Sequence, residues 1–472
     1  MVCVPKMDAK QQKTFVGIIL IVLLGAAACC GLTVAIGGFV GYQDAQKRAS
    51  TGPVDAGTRA TAPKPATPSG DDDDAPDQDA LRQQFADEIL AGLADAGRAD
   101  YVYQPASFDL VTDAGAMISL DNLYAEYSDK DQDERPQFVE RTVRGFFPAA
   151  VPTSWDQAAP DVVATVRDRI FVELLALRSD KPLSVLQRPL SDDLVELVVY
   201  DGADSMQYLN EDHLADWGKN ADEVFLQGRQ QLAARSKDPF TKVSAGVFES
   251  PWADNHDIGR ALLFETIRKL KVKGDPVLFL PQRDHLLVTG ANDEEGLLVV
   301  ADLVSERLDL PRANTGRGWR LTQQGLVPYV PKADNEVLSV LRVEAATKDA
   351  NEQKKALDEK FAKDGTDVFV GTTMLTDDDD GKQRTYCVWT KGADSLMPKA
   401  EFVVFVDLDM PESDRVVAAG LWDDVMKRVG KQVKPDDAFW PRRYKVSTFP
   451  DARALRAIGT HPFFRRNKES AE

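Results

Sequence analysis

Four acidic side chains between residues 129 and 140 have the spacing of a calcium-binding loop. They occupy positions one, three, five and twelve of an EF-hand loop, and they are Asp129, Asp131, Asp133 and Glu140. Carboxylate oxygens are the ligands that Ca²⁺ prefers, so the spacing predicts a calcium site. Two residues do not fit the calcium-loop motif. Glu134 stands where the loop's turn requires glycine, and Pro136 is typical of a first helical turn. A polar connection between two helices is the alternative interpretation.

Acidic residues and histidines near two turns could perform a second kind of chemistry. A carboxylate with an imidazole within reach can carry out general acid-base catalysis. The candidates for such a hydrolase site are Asp201, Asp204 and His213 at the first turn, and Asp284 with His285 at the second. Adjacent residues on a strand point to opposite faces, so the second pair is not a ready-made dyad.

Common catalytic and metal-binding motifs are missing from the sequence. The four histidines include no HExxH motif, and there is neither a GxSxG turn nor a Walker A loop. Cys3, Cys29 and Cys30 precede or lie within an N-terminal apolar run, which leaves Cys387 alone in the rest of the chain. That part can form neither an internal disulfide nor a CxxC metal knuckle. We therefore predict no cofactor and favour a protein that is not an enzyme.

Residues 15–42 read FVGIILIVLLGAAACCGLTVAIGGFVGY and contain no charge. A helix of this length spans roughly 40 Å, more than the ~30 Å hydrocarbon core of a bilayer. We predict a single-pass transmembrane helix that contacts the lipid bilayer directly. A cleaved signal peptide is an alternative, although its apolar core is usually only ~7–15 residues long. A lipoprotein site at Cys29 or Cys30 is another.

The basic residues around this run predict its orientation. Three lysines lie in the short tail of residues 1–14, and Lys47 and Arg48 follow the run. Because lysines close to a membrane span tend to stay in the cytoplasm, we expect the N-terminus inside. The protein would then be a bacterial inner-membrane protein with a periplasmic soluble domain. The nearly balanced count leaves the opposite topology open.

Composition predicts a linker and limits the partners. Residues 43–79 are rich in Pro, Ala, Thr, Gly and Asp and nearly lack large apolar side chains, so we predict a disordered tether. The formal net charge of −19 argues against nucleic acid, whose binding proteins carry basic patches. The expected partners are the bilayer and a protein that the sequence does not identify.

Hydrophobic periodicity beyond the linker predicts an α+β fold, with an α+β domain at 80–331 and a smaller C-terminal α/β domain at 332–472. The predicted helices are 80–96, 121–127, 136–147, 211–216, 221–234, 258–271, 293–307, 351–363 and 415–429. The predicted strands are 107–112, 116–120, 170–177, 194–200, 206–209, 242–248, 276–280, 285–289, 320–330, 337–345, 367–375, 383–391 and 402–407.

Two segments carry a resemblance to a known family. Residues 193–232 read DLVELVVYDGADSMQYLNEDHLADWGKNADEVFLQGRQQL, and residues 274–297 read GDPVLFLPQRDHLLVTGANDEEGL. These segments resemble the YtpQ-like family of uncharacterised bacterial proteins, and the resemblance covers roughly residues 81–330. The family implies a mixed α/β module and supplies no established catalytic residues. Members without an anchor look cytoplasmic, so this chain differs in its transmembrane helix, linker and C-terminal domain.

These observations favour a membrane-anchored binding or scaffolding protein. Two alternatives remain from the residues themselves. One is a hydrolase that uses the acidic residues at the two turns, and the other is a calcium-responsive envelope module that uses the loop at 129–140. Active sites assemble from distant residues, so the structure must discriminate between them.

Overall fold

A computed structural model describes residues 78–113, 117–147, 149–179, 182, 184–203, 205–332, 335–378 and 381–464. The fold is α+β with several sheets, as the sequence predicts. The tail, the apolar run 15–42 and nearly all of the linker lie outside the described residues. Among the helices within those ranges, none has the length and apolar character needed to cross a membrane.

A small N-terminal unit begins with the helix Gln78–Asp95. It continues with the antiparallel strands β1 (Val102–Gln104), β2 (Asp109–Val111) and β3 (Met117–Ser119). Two further helices, Asp121–Ser128 and Arg135–Phe146, complete it. Apolar side chains recur at helical spacing along the first helix and are buried in one core, which includes Phe85, Ile89, Leu93, Tyr127 and Phe138.

The first central sheet is built around one long strand. Its strands are β4 (Val162–Asp168), β5 (Gln187–Pro189), β6 (Leu194–Asp201) and β7 (Met206–Tyr208). Strand β6 pairs with β4 on one edge and with β5 and β7 on the other, always antiparallel. The helix Ala221–Ala234 lies close to the sheet at Gly228, where a Cβ atom would be 2.7 Å from Val198 Cγ1.

The second central sheet has six antiparallel strands in the order β13-β12-β10-β11-β9-β8. These are β8 (Thr241–Ser244), β9 (Val247–Glu249), β10 (Pro276–Gln282), β11 (His285–Gly290), β12 (Gly318–Thr322) and β13 (Gly325–Pro328). The helix Glu294–Leu308 packs on it. Both central sheets contribute to one apolar core, in which Val166 and Leu194 of the first sheet join Leu278 and Trp319 of the second.

The C-terminal unit follows the long helix Glu336–Asp364. Its strands form two four-stranded sheets, β14-β17-β21-β20 and β15-β16-β18-β19. They are β14 (Phe369–Val370), β15 (Met374–Asp377), β16 (Gln383–Thr390), β17 (Ser395–Pro398), β18 (Phe402–Val406), β19 (Val416–Leu421), β20 (Lys434–Asp436) and β21 (Arg443–Val446). The helices Trp422–Val429 and Ala452–Ile458 pack on a core that contains Trp389 and Phe405.

Short helical pieces connect these elements. The α-helical ones are Trp155–Ala158, Arg169–Arg178, Glu211–Trp217 and Phe264–Ile267. The 3₁₀ turns are Ala159–Asp161, Asp257–Leu262, Glu412–Asp414 and Gly430–Gln432.

Two predicted strands are wrong. Residues 170–177 lie in the helix Arg169–Arg178, which packs against the long helix Glu336–Asp364, and the strand before it, β4, was not predicted. Residues 337–345 begin that long helix. Leu338 and Leu341, three residues apart, are both buried against the six-stranded sheet, as one face of a helix requires. This helix therefore packs with both sides of the predicted boundary at residue 332.

Two predicted helices are partly wrong. Residues 258–271 form the 3₁₀ turn Asp257–Leu262 and a short helix rather than one amphipathic helix. Gly259 in this turn runs so close to β4 that a Cβ atom would lie 2.9 Å from the Ala164 carbonyl oxygen. The first half of 415–429 is strand β19, which pairs with β18, and only its second half is helical.

Candidate functional site

The structure describes all four residues of the predicted calcium loop as exposed; Asp129, Asp131 and Asp133 lie on a helix–helix connection, and Glu140 lies within the helix Arg135–Phe146. Asp129 ends the helix Asp121–Ser128, and the Asp131 carbonyl accepts hydrogen bonds that start the next helix. Glu140 pairs with Arg144 at 2.7 Å. Within the described ranges, no three or more Asp, Glu, His or Cys residues are grouped so that they could hold a metal ion. Calcium binding here stays a prediction.

The histidines and acids of the predicted hydrolase site have separate partners. His213 caps its own helix, because its Nδ1 accepts from the Asn210 amide at 3.1 Å. His285 pairs with Glu249 at 2.7 Å, and Asp284 accepts from the Asn255 amide at 2.7 Å. Asp204 lies outside the described residues. The described candidates therefore do not form one catalytic group.

Asp201 has a histidine partner that the sequence did not reveal. Its carboxylate lies 3.0 Å from Nε2 of His256 and also pairs with Arg235. Burial alone would raise the Asp201 pKa, but the hydrogen bonds and charges of these two partners outweigh it and lower the pKa. His256 is only 2% exposed, and its buried Nδ1 has no hydrogen-bond partner within the described part of the chain. His256 and Arg235 together favour the ionised form of Asp201, which lines one wall of a large cleft.

This cleft has a volume of about 880 Å³ and lies between the N-terminal unit and the two central sheets. The helices Asp121–Ser128 and Arg135–Phe146 form one side. The end of β4, the turn between β6 and β7 and the loop before β12 form the other. A volume of this order is typical of small-molecule sites, which occur preferentially between packed units.

Four arginines line the cleft, and we call it the arginine cleft: Arg141, Arg167, Arg283 and Arg312. They come from four different elements, respectively the helix Arg135–Phe146, strand β4, the β10–β11 turn and the loop before β12. Such a concentration of positive charge contrasts with the net charge of −19 of the whole chain. Because guanidinium groups bind carboxylate and phosphate through several donors, the cleft has the chemistry of an anion site.

Arg167 is held in place by neutral oxygens. Its Nε donates to the Tyr208 hydroxyl at 3.1 Å, and its Nη1 donates to Thr165 Oγ1 at 3.0 Å and to the Val166 carbonyl at 2.9 Å. Arg167 forms no ion pair within the part of the chain that the structure describes. The guanidinium is therefore oriented by neutral groups, and its charge is left without a partner of opposite sign.

Arg283 is largely enclosed. Its side chain is 19% exposed, its Nε is buried without a hydrogen-bond partner among the described residues, and the carboxylate of Asp284 lies 3.5 Å from Nη2. Burial lowers the Arg283 pKa, and the positive charges of Arg312 and Arg167 lower it further. Three guanidinium groups thus repel one another inside one cleft.

Arg312 links the two sides of the cleft. Its guanidinium pairs with Glu126, and its backbone amide donates to Asn122 Oδ1 at 2.7 Å. Both partners belong to the helix Asp121–Ser128 of the N-terminal unit. Arg312 itself has a φ of 59°, a conformation that side chains other than glycine rarely adopt. The contacts from the helix stabilise this loop.

Apolar side chains form part of the wall, between polar ones. They include Phe138, Phe146, Phe171, Met206 and Ile258. The Phe171 and Tyr208 rings lie 5.3 Å apart, so the aromatic surface continues up to the hydroxyl that orients Arg167. A site with an apolar wall and convergent cations fits a ligand that has both an apolar body and an anionic group.

A second group of charges is buried away from this cleft. Arg317 lies 2.7 Å from Asp349, 3.6 Å from Asp168 and 3.8 Å from Asp193, and we call the three carboxylates the buried acid cluster. Burial raises the pKa of Asp168 to about 8 and that of Asp349 to about 6, against the opposing charge of Arg317. The cluster joins the end of β4 to the long helix Glu336–Asp364.

Sequence reasoning missed the arginine cleft because its residues are far apart in the chain. Arg283 was seen only as a neighbour of Asp284 and His285, and no local spacing relates it to the other three arginines. Arg141 and Arg312 are far apart in sequence, and they come close only because the N-terminal unit packs on the central sheets.

No protein-family model, curated protein or solved structure matches this chain. The resemblance to the YtpQ-like family therefore stays a prediction.

Proposed function

We propose that the protein is a membrane-anchored binding protein whose ligand site is the arginine cleft. The observation that carries the proposal is the coexistence of a cleft of about 880 Å³, apolar side chains in its wall and two arginines, Arg141 and Arg167, that form no ion pair within the described residues. The uncharged run at residues 15–42 and the linker after it supply a tether to the bilayer. Such a tether would let the head, which comprises the described residues 78–464, reach a ligand or a partner protein near the membrane.

Binding has more support than hydrolysis. A general acid must carry a proton near the working pH, but the Asp201 pKa is lowered by His256 and Arg235. A general base must reach the proton that it removes, and His256 is almost completely buried. Asp201, the one described member of the predicted set that lines this cleft, is therefore tied to other side chains.

A fluorescent reporter in the cleft tests binding of any kind. The full-length chain, with Cys3, Cys29 and Cys30 replaced by serine, is reconstituted in phosphatidylcholine nanodiscs and labelled with bimane at Ser205→Cys. Ser205 lines the cleft. A matched sample carries the label at Ser447→Cys, an exposed position in the C-terminal unit.

Both samples are titrated with phenyl phosphate, benzyl alcohol and benzyltrimethylammonium, which share one ring and differ in charge. We expect a saturable fluorescence change at position 205 and none at position 447. If no member of the panel produces a saturable change at position 205, the arginine cleft is not a ligand site and the proposed function is wrong.

A further inference from the structure

Among the described residues that line the arginine cleft, arginines outnumber carboxylates. These residues include two carboxylates, and each already has a partner: Glu126 binds Arg312, and Asp201 binds Arg235 and lies 3.0 Å from His256 Nε2. Arg141 and Arg167 form no ion pair within the described residues, and Arg283 has only Asp284 at 3.5 Å. Among the described lining residues, four arginines therefore stand against two carboxylates, an excess of positive charge.

The hydrogen-bond donors of the cleft arginines are positioned by the protein before any ligand binds. Tyr208, Thr165 and the Val166 carbonyl fix the plane of the Arg167 guanidinium. The buried Nε of Arg283 has no acceptor among the described residues, so the protein acceptors that the structure describes do not saturate this guanidinium. Donors that are fixed in advance lose little freedom when they bind.

The number and placement of the guanidinium groups discriminate between kinds of anion. One arginine is enough for a carboxylate, because its fork matches the two oxygens and the single charge. A phosphate monoester carries close to two charges and three terminal oxygens, and it can accept from several arginines at once. Arg167 and Arg283 come from different elements and face one cleft, as recognition of such a group requires.

The apolar wall defines the remainder of the ligand. Phe171, Phe146 and Met206 are partly exposed and offer surface that an inorganic ion cannot cover. Burial of an apolar group against such side chains favours binding. A ligand that uses both features has a phosphate at one end and an apolar or aromatic group at the other.

The next inference rests on the proposed function. We propose that the ligand of the arginine cleft is an organic phosphate monoester with an apolar body, and that Arg167 and Arg283 bind its phosphate. Arg141 adds positive charge at the entrance, and Arg312 stays paired with Glu126. The same chemistry can come from a soluble phosphate ester or from the headgroup of a membrane lipid such as phosphatidate. The tether permits either source.

Isothermal titration calorimetry tests this assignment on the full-length protein in phosphatidylcholine nanodiscs. The titrants are phenyl phosphate, inorganic phosphate, benzyl alcohol and benzyltrimethylammonium. The variants are Arg283→Gln, Arg167→Gln and, as a matched loss of charge, Arg453→Gln at an exposed position of the last helix. Circular dichroism and thermal unfolding check that each variant is folded.

We expect phenyl phosphate to bind more tightly than either inorganic phosphate or benzyl alcohol. Arg283→Gln and Arg167→Gln should each weaken its binding about tenfold or more, because charge-assisted hydrogen bonds are lost, and Arg453→Gln should leave it within about twofold. A folded Arg283→Gln variant that binds phenyl phosphate as well as the wild type overturns the assignment. Two variants are included so that misfolding of one leaves the other as the test.

The outcomes separate this inference from the proposed function. Binding of benzyl alcohol or benzyltrimethylammonium without binding of phenyl phosphate overturns the phosphate assignment and leaves the cleft as a ligand site. The absence of binding by all four titrants contradicts both.

A second set of nanodiscs that contain phosphatidate identifies the source. Weaker apparent binding of phenyl phosphate there supports a lipid-borne phosphate, and unchanged binding supports a soluble ester.

Discussion

Nε of Arg167 donates a hydrogen bond of 3.1 Å to the hydroxyl of Tyr208, across the first central sheet from β4 to β7. Both side chains line the arginine cleft, and this bond orients a guanidinium that has no carboxylate partner in the described part of the chain. The relationship links the architecture of the sheet to the chemistry of the cleft. A strand pairing that brings β7 beside β6 also sets the direction of the arginine on β4.

Replacing Tyr208 by phenylalanine removes this bond and keeps the ring that contacts Phe171. We expect Tyr208→Phe to weaken binding of phenyl phosphate about threefold to tenfold, because Arg167 loses the group that fixes its plane. The midpoint of thermal unfolding should change little. Calorimetry measures the affinity, and Tyr444→Phe in the C-terminal unit is the control. Unchanged affinity in Tyr208→Phe would contradict the positioning role.

Glu126 competes with a bound anion for Arg312. We expect Glu126→Gln to raise the affinity for phenyl phosphate about threefold, because the cleft loses a negative charge and Arg312 gains freedom to bind the ligand. Stability should fall by about 1 kcal/mol or less, since the pair is partly exposed. Glu359→Gln, a change at an exposed position of the long helix, should alter neither the affinity for phenyl phosphate nor the stability. A drop in affinity for Glu126→Gln would show that this carboxylate supports the site rather than opposing binding.

The buried acid cluster predicts a pH dependence of stability. The Asp168 pKa is raised from 3.8 to about 8 by burial, so the folded state binds this proton where the unfolded state has lost it. The stabilisation of the folded state by this proton is complete below about pH 4 and is lost as the pH rises to about 8. The free energy of unfolding falls over this range by at most ~1.4 kcal/mol per pH unit. Arg317, Asp193 and Asp349 surround the group.

Asp168→Asn resembles the neutral carboxyl group and removes this titration. We expect its free energy of unfolding to lie near that of the wild type at about pH 4 and to improve relative to the wild type as the pH rises to about 8. Denaturant unfolding at the two pH values measures the difference, and Asp302→Asn on an exposed helix face is the control. Equal pH slopes for the wild type and Asp168→Asn would contradict the interpretation.

Cys387 should be chemically inert in the folded protein. It is completely buried, and burial raises the pKa of its thiol to about 12. With Cys3, Cys29 and Cys30 replaced by serine, we expect no reaction with a maleimide under native conditions and one labelled thiol per chain in denaturant. Mass spectrometry counts the labels. Rapid labelling of the folded chain would show that the C-terminal core opens. A topology experiment therefore needs a reporter other than Cys387.

Local patterns predicted the elements that bury one simple face. The helix Ala221–Ala234 and the hairpin β10–β11 follow their periodicities closely, because each has one apolar surface against a core. Residues 337–345 were assigned as a strand from their dense apolar and β-branched side chains. Their helix is specified by the cap of Asn335 on the Leu338 amide and by burial of every third or fourth residue.

The site was harder to predict than the fold. The acids with recognisable spacing, such as Asp129 and Glu140, lie on the surface, and the predicted His213 serves as a helix cap. The residues that face the cleft, such as Arg167 and Arg283, have no neighbours in sequence that mark them. Their significance is that they line one cleft, which depends on the packing of distant elements.

A crystal structure with 4-bromophenyl phosphate tests the central claim most directly, because the anomalous signal of bromine locates the ligand independently of the model of the protein. We expect the phosphate within hydrogen-bond distance of Arg167 and Arg283 and the bromophenyl ring against Phe171. Binding of the ligand at another surface, with the arginine cleft empty at a saturating concentration, would contradict the account.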